Sequence, residues 1–221
     1  MSSIKDKSDL YFGDFWTFLT DYLNDTLAGP QEDSYNNMNF AICQAIVICK
    51  TGQPFEEYVK EKVLKPMAID TNIFNTVPDP PNTATLCYHD INDKQEGMYW
   101  SQIQNIGAGG FISNIDQMVN YLAGLQYHAV LDEATTRYML QDQLGWYAHK
   151  GARGMYYKHI GILWTDDPKP DGTFDGNVQC LTTGVVRLTD GYDCVLLVNS
   201  GKDNTWIDPP KIIIAAFEAR N

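Results

Sequence analysis

Near residue 150 the hydrophobic pattern of the chain changes. Before that point apolar residues recur at helical spacing, whereas three later runs, 155–164, 178–188 and 192–198, are rich in β-branched and aromatic residues. The turn sequence Asp190-Gly191 separates the last two runs and predicts a tight hairpin, so those strands should be antiparallel neighbours. Helices followed by a short antiparallel meander and one closing helix predict an α+β fold rather than a doubly wound sheet.

The most apolar segment of the helical part is 39–50. Asn36 or Asn37 can serve as its N-cap and Gly52 as its stop, which predicts a buried helix rather than a strand. Pro54 fits the first position of the next helix, because its fixed backbone angle suits that position and its missing amide hydrogen costs nothing there.

Two later helices are predicted from their first residues. Asp208 can cap the last helix, with Pro209 at its first position, and this helix should cover the sheet. Ser113 and Asp116 have the spacing of a capping box. The residues predicted to form the buried face of this helix are Ile115, Met118, Val119 and Leu122. Before it, the stretch 76–106 is rich in Pro, Asn and Asp and is expected to be loop-rich.

An excess of acidic residues excludes one class of partner. The net charge is −12 and no stretch clusters Lys or Arg, so the chain is acidic and no nucleic-acid partner is expected. The longest apolar run, 40–49, is far shorter than the roughly 20 residues that a membrane span needs. We therefore predict a soluble chain without a membrane span.

The cysteines and histidines lack the spacing of metal sites. The cysteines are odd in number and are expected to be buried thiols: Cys43, Cys49, Cys87, Cys180 and Cys194. Unpaired thiols and no recognisable leader favour a cytoplasmic or organellar interior. Gly107-Ala108-Gly109-Gly110 lacks the third glycine of a dinucleotide fingerprint, so neither a metal nor a cofactor is predicted. No G-x-S-x-G motif occurs, which excludes the α/β-hydrolase class.

Five short motifs point to a known family. In chain order they are Tyr35-Asn36-Asn37, Thr51-Gly52-Gln53-Pro54, Gly107-Ala108-Gly109-Gly110, Lys158-His159-Ile160-Gly161 and Val195-Leu196-Leu197-Val198-Asn199. From about residue 28 to its end, the chain resembles the serine β-lactamase and penicillin-binding-protein superfamily, in its class C, esterase and D-aminopeptidase branch. The resemblance implies the C-terminal part of a β-lactamase/transpeptidase-like fold that lacks the N-terminal strands and the nucleophile helix.

The same resemblance implies four site residues. That family uses a Ser-x-x-Lys nucleophile box, a Tyr-x-Asn box and a Lys/His-Ser/Thr-Gly strand. Tyr35 and Asn37 match the second box, and His159 and Gly161 match the third. A tyrosine hydroxyl beside a lysine ammonium loses its proton more readily and can shuttle protons to and from the serine. Ile160 stands where a hydroxyl residue is usual, which removes a group that would hold a substrate carboxylate or amide.

Each of these residues also has a plain structural interpretation. Tyr35 can simply pack at a helix entrance, and His159 can be one polar residue that alternates along a strand. The nucleophile itself is the larger difficulty. Ser2-Ser3-Ile4-Lys5 matches the Ser-x-x-Lys motif. Tyr35, however, follows Lys5 by only 30 residues, which is fewer than in the family. A polar run then stands where the family has a buried helix, so we expect no working nucleophile in this chain.

Three functions are compatible with this reading of the sequence. The first is a catalytically incomplete chain, a pseudoenzyme, that acts as a structural or interaction subunit, with a protein partner or a second copy covering an exposed sheet edge. The second is a serine hydrolase for esters, peptides or β-lactam-like compounds whose nucleophile comes from another chain or from a further N-terminal segment. The third is a non-catalytic module that binds a small ester, amide or peptide.

The expected domain organisation follows the change of pattern. Residues 1–150 should form a mainly helical region that contains the loop-rich excursion at 76–106, and residues 151–221 the antiparallel strands and the C-terminal helix. Together they would make one incomplete domain.

Overall fold

In the computed structural model the chain divides into two compact units: residues 1–65, 71–77 and 100–112, and residues 66–70, 78–99 and 113–221. The structure describes residues 36–69, 87–90, 93–95, 107–109, 113–168, 174–199 and 207–220, with Thr17, Leu19, Thr20, Leu23, Asn24 and Phe111. In 87–90, 93–95, 163–168 and 174–181 only the backbone is described. Tyr35 and the Ser2-Lys5 pair lie outside the described residues.

Helix α1, Asn37–Thr51, is the main helix of the first unit. At its start, Oδ1 of Asn36 accepts a hydrogen bond from the Met38 amide at 2.9 Å. At its end, Gly52 has a left-handed φ of 68° and donates its N–H to the Ile48 carbonyl at 2.9 Å. Both predicted termini are confirmed, because capping hydrogen bonds are local and can be inferred from the residue types at helix ends.

The core of the first unit forms along one side of α1. It contains Leu19, Met38, Ala41 and Ala45, with Ile42 and Ile48 packed against it. The prediction of buried thiols is wrong for Cys43 and Cys49, which are both exposed. Cys43 lies on the side of the helix opposite the buried stripe, and Cys49 lies in the exposed last turn. Cys194, in the second unit, is half-buried.

Helix α2, Phe55–Val59, continues into a π-helical turn at Lys60–Leu64. In this turn the amide of Lys65 donates to the carbonyl of Lys60 at 3.0 Å, five residues earlier. Pro54 has an extended ψ of 137° and is the N-cap, so its predicted place at the first helical position is wrong by one residue.

The second unit contains a four-stranded antiparallel meander. Its strands are β3 (Tyr147–Gly151), β4 (Gly154–Pro168), β5 (Phe174–Arg187) and β6 (Asp193–Val198), in that spatial order. The three strand runs predicted from the sequence are confirmed. Strand β3 was not predicted, because its side chains are almost all exposed and do not alternate between polar and apolar types.

The hairpin between β5 and β6 is also confirmed. Arg187 pairs with Asp193, and the Leu188 amide donates to the Tyr192 carbonyl at 2.8 Å. Gly191 has a left-handed φ of 86°. Residues 189–191 therefore make a three-residue turn whose last position favours glycine.

Helix α3, Ile115–Gln126, begins one residue later than predicted. Its capping box is formed by Asn114 and Gln117: the Asn114 side chain accepts from the Gln117 amide at 3.0 Å, and Oε1 of Gln117 accepts from the Asn114 amide at 3.1 Å. The predicted box of Ser113 and Asp116 is therefore wrong, since asparagine caps as well as serine and Gln117 can return the bond. The predicted buried face is wrong for Ile115 and Val119, which are exposed, because the buried positions of α3 are Leu122, Gly124 and Leu125.

Helix α4, Glu133–Gln141, follows with Asp132 as its N-cap. The last helix, α5, spans Pro209–Glu218. Asp208 accepts a hydrogen bond from the Lys211 amide at 3.0 Å, which confirms the predicted cap. The helix covers the sheet, as expected, through a buried cluster of Tyr156, Val186, Leu188, Ile214 and Phe217.

Two short strands, β1 (Cys87–Asp90) and β2 (Asp93–Gln95), form a separate antiparallel pair inside the stretch predicted to be loop-rich. Helices, an antiparallel sheet and a closing helix confirm the predicted α+β class. The division of the chain near residue 150 stays a prediction. In the part of the chain that the structure describes, no helix is both long and apolar enough to cross a membrane.

Candidate functional site

The first unit holds one described candidate residue, Asn37. It is the first residue of α1, directly after the N-cap Asn36, and its side chain is half-buried. The Tyr-x-Asn motif therefore leads into the main helix of this unit, although Tyr35 itself is not described.

The glycine-rich motif of the first unit is held against α1. The Gly107 amide donates to Oε1 of the buried Gln44 at 2.8 Å. A Cβ on Gly107 would lie 2.8 Å from the Phe40 carbonyl oxygen, so only glycine fits at this distance. A glutamine inside an otherwise apolar helix was the sequence signal for such a contact, because a buried amide needs a polar partner.

The second unit places His159 and Gly161 on a partly unpaired strand. Strand β3 pairs with β4 only as far as the pair Tyr147 and Lys158, whereas β5 pairs with β4 well beyond Gly161. Among the described strands, one edge of β4 is therefore unpaired from His159 onward. Unpaired amide and carbonyl groups on such an edge can bind an extended or amide-containing ligand.

The His159 imidazole is packed and partly excluded from solvent. Its ring centroid lies 6.3 Å from that of Tyr147, with 19° between the ring planes. Within the described part of the chain, Nδ1 of His159 is buried and has no hydrogen-bond partner. Burial lowers the pKa of His159, and a hydrogen bond with the Gly145 backbone opposes this shift only in part. The imidazole is therefore neutral at pH 7.

Gly161 is exposed, and packing does not explain why it is glycine. A Cβ built on Gly161 would meet Thr183 on β5 at an ordinary distance of 3.8 Å. Ile160, between the two site positions, pairs with Gly184, whose backbone touches the prolines at the start of α5. Because side chains alternate along a strand, Ile160 belongs to the face that α5 covers, and His159 and Gly161 belong to the other face.

An ion pair lies farther along the face that carries His159. Nε of Arg187 is 3.1 Å from Oδ1 of Asp193, and both side chains are only 12% exposed. A second guanidinium nitrogen donates to the side chain of Gln126 on α3. Its third nitrogen, Nη1, is buried and has no partner among the described residues. This pair could not be predicted from the sequence, because its members belong to different strands and become neighbours only through the register.

Neither a nucleophile nor a metal cluster is found in the described residues. Ser113 is the one serine among them, and its hydroxyl bonds to the carbonyl of the next residue at 3.2 Å, at the start of α3. The described residues also contain no group of three or more His, Cys, Asp or Glu side chains that could hold a metal ion.

The meander, the closing helix and the His-x-Gly strand can be compared with known proteins. The family model described as Beta-lactamase matches residues 7–208. The chain belongs to the Beta-lactamase family. This result confirms the resemblance inferred from the five motifs, and it assigns the sheet and helices described above to a β-lactamase-like fold.

Solved structures of a D-amino acid amidase from Ochrobactrum anthropi SV3 share this Beta-lactamase-family fold. Its complex with L-phenylalanine amide aligns with a TM-score of 0.57 and 14% identity over 87% of this chain. Its complex with D-phenylalanine aligns with a TM-score of 0.52 and 15% identity over 80% of this chain. The chain covers 58% and 55% of the amidase chains in these two structures. No curated protein matches the sequence.

Proposed function

We propose that this polypeptide is a catalytically incomplete member of the Beta-lactamase family that acts as a structural or interaction subunit. The observation that carries the proposal is the place of the Ser-x-x-Lys motif, which occurs once in the sequence and whose Lys5 precedes Tyr35 by only 30 residues. Ser2 heads the single Ser-x-x-Lys in the sequence, in a polar run, and the one described serine, Ser113, is engaged at a helix start. Acyl transfer in this family requires an activated serine, so this chain alone should not turn over substrate.

The unpaired strand edges support an interaction role. Strand β6 pairs with β5 on one side, and no described strand pairs with its other side. The edge is apolar over Val195–Val198 and carries neither Lys nor Pro, the residues that usually prevent strands from associating. A partner chain or a second copy that adds a strand there would extend the sheet.

A fluorescent probe that acylates or phosphonylates active serines tests the proposal. The isolated chain should stay unlabelled, and so should its Ser2→Ala and Ser113→Ala variants. Labelling of the isolated chain that Ser2→Ala abolishes and Ser113→Ala preserves would show that the chain is a complete serine hydrolase. Labelling of another polypeptide only, in the native complex, would favour the hydrolase whose nucleophile comes from a second chain.

A second candidate function, a small-ligand binding module, is supported by the β4 edge. His159 keeps a buried nitrogen without a described partner, and Gly161 leaves the strand open beside it. We assign His159 and Gly161 to the ligand-facing strand, and Tyr35 and Asn37 remain candidate site residues by family resemblance. The ligand would be a small amide, ester or peptide. In the related fold, the amidase of O. anthropi SV3 was crystallised with L-phenylalanine amide.

Thermal unfolding with and without phenylalanine amide checks this candidate. A ligand that binds only the folded chain raises the unfolding midpoint, and the shift grows with the logarithm of the ligand concentration above its Kd. The shift should disappear in a Gly161→Val variant, whose side chain would occupy the space beside the strand, and should persist in the exposed control Tyr192→Phe. An unchanged shift in Gly161→Val would place the ligand elsewhere.

A further inference from the structure

Helix α1 carries an exposed apolar stripe on a side that the core of the first unit does not cover. Ile46 lies at its centre and is 54% exposed, and Cys43 and Cys49 are exposed as well. Each residue of an α-helix turns about 100° around the axis, so residues three positions before and after Ile46 lie about 60° to either side of it. We call these three residues the α1 stripe, which occupies one third of the helix circumference.

The composition of the α1 stripe is the same in both directions along the helix. A cysteine stands three residues from Ile46 toward each end, about 4.5 Å away along the axis. A second copy that lies antiparallel across α1, with a two-fold axis at Ile46, brings the two Ile46 side chains together and places Cys43 of each copy beside Cys49 of the other. A two-fold contact requires a surface that is complementary to itself, and the α1 stripe meets this condition.

The charge of α1 allows two copies to approach at this helix. The whole chain has a net charge of −12, so two copies repel each other on average. Helix α1 contains no acidic residue, and its single charged side chain is Lys50. Lys50 follows Ile46 by four residues and Ile42 precedes it by four, so the two-fold arrangement places Lys50 opposite Ile42 of the other copy. The two lysines therefore do not meet.

We propose that the α1 stripe is a self-association surface, on which a second copy of this chain docks antiparallel with Ile46 at the two-fold axis. Its free energy comes from burial of the isoleucine and of the cysteines, which behave as small hydrophobic side chains. One helix pair buries less than the roughly 1,600 Å² of a standard interface, so the dimer is weak and depends on concentration. The surface belongs to the first unit, and the proposal does not depend on the β6 edge or on whether the chain is catalytic.

Two isoleucines of nearly equal exposure test the surface. Ile46→Glu places two carboxylates at the two-fold axis and should raise the Kd of the dimer about tenfold. Ile212→Glu, on α5, is the matched control, because Ile212 is 52% exposed, and it should leave the Kd unchanged. Sedimentation velocity of the full chain under reducing conditions, over a range of protein concentrations, measures both, and circular dichroism checks that the variants are folded. A wild-type chain that stays monomeric at every concentration overturns the proposal, and so does a dimer that Ile46→Glu leaves intact.

Complementary cysteine variants test the antiparallel orientation. Chains with Cys43→Ser and chains with Cys49→Ser are mixed and treated with a short bismaleimide, which alkylates one thiol at each end and needs no oxidant. Peptide mass spectrometry should find Cys49 of the first variant joined to Cys43 of the second, a product that neither variant can form alone. A parallel pair would instead join Cys43 to Cys43 in the Cys49→Ser chain by itself. That product, or the absence of the mixed product, overturns the antiparallel arrangement.

Discussion

Gly161 on β4 and Gly184 on β5 differ in the space that is available for a side chain. Gly184 has no room for a Cβ: the added atom would lie 2.4 Å from Cδ of Pro210 and 2.6 Å from Cβ of Pro209. These are rigid ring atoms at the start of α5, so the helix would have to move away from the sheet. Gly161 has ordinary space around it. Packing therefore requires glycine at Gly184 but not at Gly161.

Alanine substitutions separate these two roles. Gly184→Ala should lower the free energy of unfolding by about 2 kcal/mol, because overpacking displaces the helix. Gly161→Ala, the matched control on the adjacent strand, should leave stability nearly unchanged. Urea denaturation followed by circular dichroism measures both. A Gly184→Ala protein as stable as the wild type would mean that α5 packs less closely on β5 than the structure indicates.

The N-cap of helix α3 lies one residue later than the sequence predicted, so a different pair of side chains forms the capping box. Its cap is Asn114, which exchanges side-chain and backbone hydrogen bonds with Gln117. Asn114→Ala should cost about 1 kcal/mol of stability, because an amide at the helix start loses its partner. Ser113→Ala, one position earlier, should cost much less. The urea midpoints of the two variants are compared. A lower midpoint for Ser113→Ala than for Asn114→Ala would indicate that Ser113 is the N-cap.

The C-terminal helix and the β3–β4 hairpin are joined by one carboxylate. Oε1 of Glu218 accepts hydrogen bonds from the Tyr156 hydroxyl at 3.0 Å and from the Ala152 amide at 2.5 Å. The Tyr156 side chain is completely buried, and its ring meets Phe217 edge to face at 6.0 Å. The hairpin that leads into the His159 strand is therefore tied to the last turn of α5.

Removing one hydroxyl tests this connection. Tyr156→Phe should lower the free energy of unfolding by about 1.5 kcal/mol, since a hydrogen bond to a charged group is lost while the ring packing remains. Tyr192→Phe, which removes an exposed hydroxyl from the β5–β6 turn, is the control and should change little. Thermal or urea unfolding gives the comparison, and equal stabilities of the two variants would argue against the link.

For the chain as a whole, the neutral state of His159 makes folding depend on pH. The pKa of His159 is lowered in the folded state, so the unfolded chain binds the proton more readily. This contribution to stability is complete above the ordinary histidine pKa of about 6.5 and is lost as the pH falls below it. The wild type should therefore lose more stability than His159→Gln between pH 7.5 and 5. Parallel pH profiles of unfolding for the two proteins would contradict the buried, neutral imidazole.

Most of the helix ends and strands could be predicted from the sequence, because they depend on interactions between residues close together in the chain. Asn36, Gly52 and Asp208 mark helix ends because the hydrogen bonds they make or permit join residues within a few positions. The strand runs and their hairpin follow from β-branched residues and Asp190-Gly191 in the same way. Five short motifs, taken together in their order along the chain, were also sufficient to indicate the family.

Burial and strand register depended on distant parts of the chain. Cys43 is apolar enough for a core but lies on the side of α1 away from Leu19, and Ile160 lies under α5 because its strand alternates in step with Gly184. The cover that Tyr147 provides for His159 likewise comes from a strand with no sequence signature of its own. Side chains far apart in the sequence become neighbours through packing, and the pattern of one segment does not specify which face another segment will cover.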